Sequence, residues 1–345
     1  MGIALQTMTN ELTHVFLLSV GAFLLAMFLT PIYTFFAYRY RFWKRQRSES
    51  TDGKKLKIFA KFQAAKLRRN IPTMAGVIGV ISIFVVTIFF NLDRAQTWLP
   101  LAALVGGGIV GIIDDIINLR GLGGGAAGLR SPVKFALITL IGVVLGWFFF
   151  AKLGVASFHV PFVGEVNIGW LIVPLFAFAV VATGNAVNIS DGMDGLAGGL
   201  LGISFGAFGV IALLQQHVIL AGFCFTVVGV LLSYLWFNIY PARFFMGDVG
   251  SFAYGACLGV VAMLTDSLLL LPVIGLLFVI EAGSSLTQIV SKKLFKRKIF
   301  LSAPIHHHLE AIGWPETKVT MRFWVIGCVM AFIGVMLALA GGHIA

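Results

Sequence analysis

Charge is what this sequence has least of: Asp, Glu, Lys and Arg make up 11% of its 345 residues, where an ordinary soluble domain carries about 25%. So little charge cannot cover a water-exposed surface when 59% of the residues are hydrophobic. A soluble globular protein is therefore excluded. Cysteine is scarce as well. Cys224, Cys257 and Cys328 lie in apolar stretches without CxxC or disulfide-like spacing, so they read as small core residues and give no sign of redox compartment. The first twelve residues hold Glu11 but neither Lys nor Arg, so the basic start of a cleaved signal peptide is missing and the first apolar segment is expected to stay. Acidic residues number 14 against 25 basic ones, a net charge of +11. That balance can mark nucleic-acid binding. In a chain this apolar it marks membrane topology instead, because Lys and Arg collect in cytoplasmic loops, and no nucleic acid is expected as a partner.

What the sequence has in abundance is apolar runs. At about 20 residues per spanning helix, candidates fall at 13–36, 73–92, 98–113, 133–151, 168–187, 196–214, 217–237, 249–265, 268–291 and 321–341. The expected fold is an all-α polytopic membrane protein of about ten transmembrane helices, a single unit over residues 1–345 with no separate soluble domain. Placing the connections alternately on two sides puts 23 of the 25 basic residues on one side, with Arg94 and Lys152 alone on the other. A miscounted helix would scramble that split, so the inside is assigned to the basic side and both termini to the outside. On the outer, periplasmic side, Phe158, Val160, Phe162, Val166 and Ile168 flank Gly164-Glu165 in an alternating pattern, which predicts a small β-hairpin. The stretch GLGGGAAG at 121–128 reads as a flexible loop.

Every dense polar motif falls in a connection on the basic side. Asp114-Asp115 ends the run GGGIVGII with no basic residue within four positions, and acids at a membrane boundary point to a metal or a substrate cation. The alternative is a solvated helix end. Adjacent residues on a helix point about 100° apart, so the spacing suggests that one of the two faces a shared ligand. NAVNISDGMDG at 185–195 packs Asn185, Asn188, Asp191, Gly192 and Asp194 together. Its glycines permit tight turns, and it suits nucleotide or metal-phosphate binding better than a plain connection; it lacks the closing acid of a calcium loop. FNIYPARFFMGDVGS at 237–251 carries Asn238, Phe245 and Asp248 before Gly250-Ser251, whose backbone N–H groups could open a helix toward phosphate. Magnesium is commonly held by one or two carboxylates plus water and phosphate, and Asp248 is the leading metal ligand. PIHHHLE at 304–310 carries His306, His307 and His308. Zinc sites usually space their ligands by two to five residues, so consecutive imidazoles read as hydrogen-bonding groups for phosphate or for the other loops. The basic run upstream from Lys292 to Lys298 also suits anionic lipid. Glu281, inside a candidate helix, is either a paired structural acid or a catalytic one.

In order and content these motifs resemble the polyprenyl-phosphate N-acetylhexosamine-1-phosphate transferase superfamily. The matching pieces are PTMAG at 72–76, IIDD at 112–115, NAVNISDGMDGLA at 185–197, FMGDVGS at 245–251 and APIHHHLEAIGW at 303–314. The last is similar to the phospho-N-acetylmuramoyl-pentapeptide transferase (translocase I) branch, as against relatives that hand over N-acetylglucosamine phosphate. The resemblance implies transfer of a phospho-sugar-peptide from UDP-MurNAc-pentapeptide to undecaprenyl phosphate, giving lipid I and UMP in peptidoglycan synthesis. It implies Mg²⁺ as cofactor, an active site in the cytoplasmic loops of a bacterial inner-membrane protein, membrane lipids as surroundings, and room for a homodimer. By position it implies Asp248 as metal ligand, Asp114 and Asp115 as an essential acidic pair, and His306, His307 and His308 as a histidine motif. Asn185, Asn188, Asp191, Gly192, Asp194, Asn238, Phe245 and Lys134 fall among its substrate-binding positions, Phe245 by stacking on uracil. The sequence departs from the pattern at Asn118, where the family usually has Lys, at Asn70-Ile71 in place of Gly-Thr, and at Ala75 in place of Gly, with Arg68 and Arg69 near the usual Lys.

Overall fold

A computed structural model describes residues 2–43, 70–121 and 128–343. Most of the basic stretch from Arg39 to Arg69, including Arg68 and Arg69, and most of the glycine-rich loop lie outside these residues.

The apolar runs form helices: α1 Gly2–Arg39, α2 Gly76–Phe90, α3 Trp98–Arg120, α4 Ser131–Leu153, α5 Ile172–Ser190, α6 Leu196–Leu214, α7 Val218–Asn238 and α8 Gly247–Leu264. The short α9 Leu271–Ile274, α10 Leu276–Phe295, α11 Ile305–Ala311 and α12 Glu316–Ala340 follow. Among the described residues eight helices are long and apolar enough to cross a membrane, and the segment 268–295, bent by 81° at Gly275, makes up to nine. The tenth expected span is α2, which has 15 residues and reaches about 23 Å, short of the roughly 30 Å hydrocarbon core. It is short because 72–75 is not helical. Instead Ala75 N–H donates to Phe245 O at 3.0 Å, and Phe245 N–H to Pro72 O at 2.9 Å.

α8 is the axis of the bundle, buried along almost its whole length. It packs chiefly against α3 and α5, and small residues allow the approach. A Cβ on Gly111 of α3 would meet Asp248 O and Val249 Cα at 2.3 Å, and one on Gly107 would meet Phe252 O at 2.6 Å. Membrane helices lack a hydrophobic drive to associate and rely on such close backbone packing. Around this axis the outer helices turn large apolar side chains outward, such as Leu140, Val144 and Trp147 of α4 and Val325, Val329 and Phe332 of α12. These faces suit lipid.

The connections gather at two ends. At one, Asn91 Nδ2 donates to Ile219 O at 2.9 Å, Gln215 Nε2 to Thr265 O at 2.8 Å, and Phe162 N–H to Gly341 O at 3.1 Å. The hairpin lies here: β1 Ser157–Val160 pairs antiparallel with β2 Gly164–Asn167. Its turn is 161–163, with Phe162 at φ 66°, so Gly164-Glu165 belongs to the second strand and not to the turn. The other end holds the polar motifs.

Candidate active site

The acidic pair is part of a helix, not of a loop. α3 runs on past it to Arg120 and closes on Gly121, because IINLR after the acids still favours helix and the apolar count alone stopped too early. Asp114 and Asp115 are both buried, and so is Asp248 in the first turn of α8. Ligand atoms from all three carboxylates lie within 4.8 Å of one another. This corrects the expectation that only one of the pair faces a common point. The 100° between neighbours is spanned because Gly111, one turn earlier, lets the start of α8, with Asp248, sit directly against α3.

Each carboxylate has a defined hold. Leu129 N–H donates to Asp114 Oδ1 at 2.6 Å. Val249 N–H donates to Asp115 Oδ2 at 3.1 Å, so at least one amide at the start of α8 serves a carboxylate already in the protein. Lys134, one turn into α4, sets its ammonium 3.1 Å from Asp114 Oδ2 and 2.8 Å from Asp248 Oδ2. Gly247 makes the close fit possible: its φ of 72° is a left-handed conformation cheap only for glycine, and a Cβ there would lie 2.5 Å from Asp115 Oδ2. Among the described residues Lys134 is the cation that bridges Asp114 and Asp248, and carboxylates gathered this closely in a buried setting call for compensating positive charge. Hard oxygen donors in that number fit a divalent ion of the magnesium class.

The asparagine-aspartate motif divides between α5 and the turn after it. Asn185 Nδ2 donates to Val181 O at 2.8 Å, within its own helix. Asn188 Nδ2 donates at 2.8 Å to Ser251 Oγ, three residues after Asp248. Asp191 is half-buried at the end of α5. Asp194 Oδ2 accepts from Ala242 N–H at 3.0 Å, and Asp194 N–H donates to Glu316 Oε1 at 2.6 Å. Asn238 Oδ1 accepts from Gly195 N–H at 2.9 Å, and its Nδ2 donates to Phe244 O at 2.9 Å. These bonds fasten 194–195 to 238–246, so Asp194 and Asn238 position the connection that carries Phe245. Phe245 itself is half-buried and paired through its backbone with Pro72 and Ala75.

The histidines occupy α11, on three divergent paths. His306 Nδ1 lies 2.7 Å from Glu281 Oε2, both side chains fully buried. His307 Nδ1 pairs with Glu310 Oε2 at 2.7 Å, and His308 Nδ1 accepts from Leu301 N–H at 3.3 Å. Their Nδ1 atoms thus serve three different partners, while the His306 and His307 rings meet edge to face with centroids 4.2 Å apart. A Cβ on Gly192 would lie 2.4 Å from His306 Nε2, so α11 is seated on the 191–195 turn. Asn188 thus reaches Ser251, three residues after Asp248, while Gly192 just past α5 seats the histidine helix. The site is built mainly on helix ends, and the loop placement read from sequence is corrected to that extent.

Sequence reasoning left the Glu281 partner open, and did not find Ser251 beside Asn188 or the backbone pairing of 72–75 with 245–246. An acid at 281 with a histidine cluster downstream is a usable signal for the first. The other two depend on helix contacts that spacing does not encode.

Comparisons with known proteins agree on one family. The family model described as Glycosyl transferase family 4 matches residues 97–266. A phospho-N-acetylmuramoyl-pentapeptide-transferase of Chloroflexus aggregans is 38% identical over 356 residues, covering 99% of this chain and 94% of the relative. Proteins of the same name from Geobacillus thermodenitrificans and Oceanobacillus iheyensis are each 35% identical, over 91% and 94% of this chain and 94% and 98% of their own.

Proposed function

Because the chain belongs to the phospho-N-acetylmuramoyl-pentapeptide-transferase family, we propose that it transfers phospho-MurNAc-pentapeptide from UDP-MurNAc-pentapeptide to undecaprenyl phosphate, yielding lipid I and UMP. The observation that carries this reading to a site is the meeting of Asp114, Asp115 and Asp248, from two helices far apart in sequence, at one end of the bundle. The Lys/Arg bias of the connections supports a cytoplasmic position for that end in a bacterial inner membrane.

The three carboxylates would hold Mg²⁺. When bound, the ion supplies positive charge to the pyrophosphate of the donor and to the departing UMP. The protein's own groups do the rest. Lys134 sits between Asp114 and Asp248 and offers its ammonium to phosphate oxygens as donor or acceptor arrives. A lipid phosphate is already largely ionised near neutral pH, so its oxygen attacks the donor phosphorus directly, with Asp114 or Asp115 taking any remaining proton. Phe245 stacks on the uracil, Asn185, Asn188 and Asp191 line the sugar-nucleotide path, and Asp194 and Asn238 hold that wall in place. The His306–Glu281 pair fixes α11 against the 191–195 turn, where the peptide-bearing sugar is read.

The test is release of UMP by purified protein in detergent, with donor, lipid phosphate and Mg²⁺ varied separately. Turnover should require all three and should fail with UDP-N-acetylglucosamine. Equal turnover with that donor would overturn the substrate assignment.

A further inference from the structure

The end of the bundle away from the carboxylate centre holds a second cluster of ionisable groups that the transferase chemistry does not use. His159 and Glu165 are directly opposed across the hairpin. Asp266 follows the end of α8 at φ 50°, and its Oδ1 accepts His159 N–H at 2.9 Å. His343 lies just past α12, its ring centroid 4.1 Å from that of His159. Ligand atoms of His159, Glu165 and Asp266 lie within 4.8 Å of one another.

We propose that His159, Glu165, Asp266 and His343 form a divalent-cation site of the zinc type, which clamps the hairpin and the segment after α12 onto the end of α8. Donor chemistry comes first: two imidazoles and two carboxylates are a borderline set, suited to Zn²⁺, whereas Mg²⁺ prefers the all-oxygen set at the other end. The tautomer of His159 comes second. Its Nε2 lies 2.8 Å from Gly341 O, and since a carbonyl only accepts, that nitrogen carries a proton, which leaves Nδ1 as the atom through which the neutral ring would ligate. A ligating histidine is commonly oriented by such a bond to a backbone carbonyl. Third, both ring nitrogens of His343 are buried with no hydrogen-bond partner among the described residues, a state that costs free energy until something binds them. Finally, carboxylate oxygens of Asp266 and Glu165 lie within 4.8 Å of each other, with Glu165 Oε2 also accepting from Ser157 Oγ at 2.5 Å, and two carboxylates so close call for a shared proton or a shared cation. The two histidines beside them favour the cation.

The experiment uses full-length protein without a histidine tag, stripped with chelator, re-equilibrated with Zn²⁺ and freed of excess, with metal counted by mass spectrometry. One zinc per chain is expected, retained in Asp248→Asn and weakened by about tenfold or more in His343→Ala and in Asp266→Asn, the range seen when a metal's supporting groups are removed. Zinc binding should also slow amide exchange across 157–167. Zinc that is absent, that survives both far-end variants, or that is lost in Asp248→Asn would overturn the proposal. Should those variants fail to fold, Co²⁺ titrated into the wild-type protein should give the intense visible bands of a tetrahedral site, bleached by Zn²⁺. Their absence would equally overturn the proposal, and hairpin exchange that ignores metal would identify a shared proton instead. UMP release, measured in parallel, reports on the transferase reading alone, so the two can fail separately.

Discussion

The two ends of this bundle gather ionisable groups in different ways. At the carboxylate end, Asp114, Asp115 and Lys134 stand inside helices and Asp248 in the first turn of one, and their spacing is set by helix packing at Gly111 and Gly247. At the hairpin end, His159 and Glu165 stand on two short strands, Asp266 in a turn and His343 past a helix, joined by bonds to backbone. The first arrangement cannot adjust without moving α3 against α8, which suits a site that must meet charged phosphates without reorganising. The second can tighten or loosen locally, which suits fastening. Breaking each end should therefore give different losses.

The largest loss should come from Asp248→Asn. It keeps the shape of the site and removes the carboxylate that Lys134 contacts at 2.8 Å. Mg²⁺-dependent UMP release should fall by on the order of 10³-fold or more, as when a central charge-stabilising group is removed. Wild-type turnover in this variant would sink the assignment. Next is His306→Ala, which strands Glu281 in a fully buried setting. Leaving a buried polar group without its partner costs about 1–3 kcal/mol, visible as a lower unfolding temperature in detergent together with reduced turnover. Replacing both partners, with Glu281→Leu added, should recover part of the stability but not the turnover if α11 serves the substrate.

Gly111→Val tests the packing argument. Its side chain would run into the backbone of Asp248 and Val249, and overpacking costs about 1–3 kcal/mol. The three carboxylates would be spread, so activity should drop further than stability. Gly202→Ala on α6 is the control, since nothing lies within 4 Å of the added carbon. Equal effects from both would remove the special role given to the α3–α8 approach.

These contrasts also mark what could be read from sequence. The apolar runs, their alternation and the one-sided placement of motifs were legible because each is a local pattern. The family was legible too, since its motifs survive as contiguous strings such as APIHHHLEAIGW. The end of α3 was not, because Asp114-Asp115 interrupts hydrophobicity without interrupting the helix. Nor was the convergence of both acids on Asp248, which depends on a glycine contact between helices more than a hundred residues apart. The far-end cluster was invisible for the same reason: only His159 and Glu165 are near in sequence, and even their pairing needs the hairpin turn placed correctly at 161–163.

The smallest effect belongs to Gln215→Ala at the hairpin end. Gln215 Nε2 donates to Thr265 O at 2.8 Å and to His343 O at 3.3 Å, tying the end of α8 to the segment after α12. Losing these bonds should cost about 0.5–1.5 kcal/mol, read as a small fall in thermal stability and faster amide exchange near 265 and 341–343. UMP release should be unchanged, because the disturbance lies at the opposite end of the rigid, glycine-packed α8 from Asp248. A change in turnover larger than the change in stability would mean that α8 transmits strain along its length. The two ends would then be coupled through the packed axis that keeps the carboxylates in register, and a metal at the far end would tune the reaction as well as fasten the hairpin.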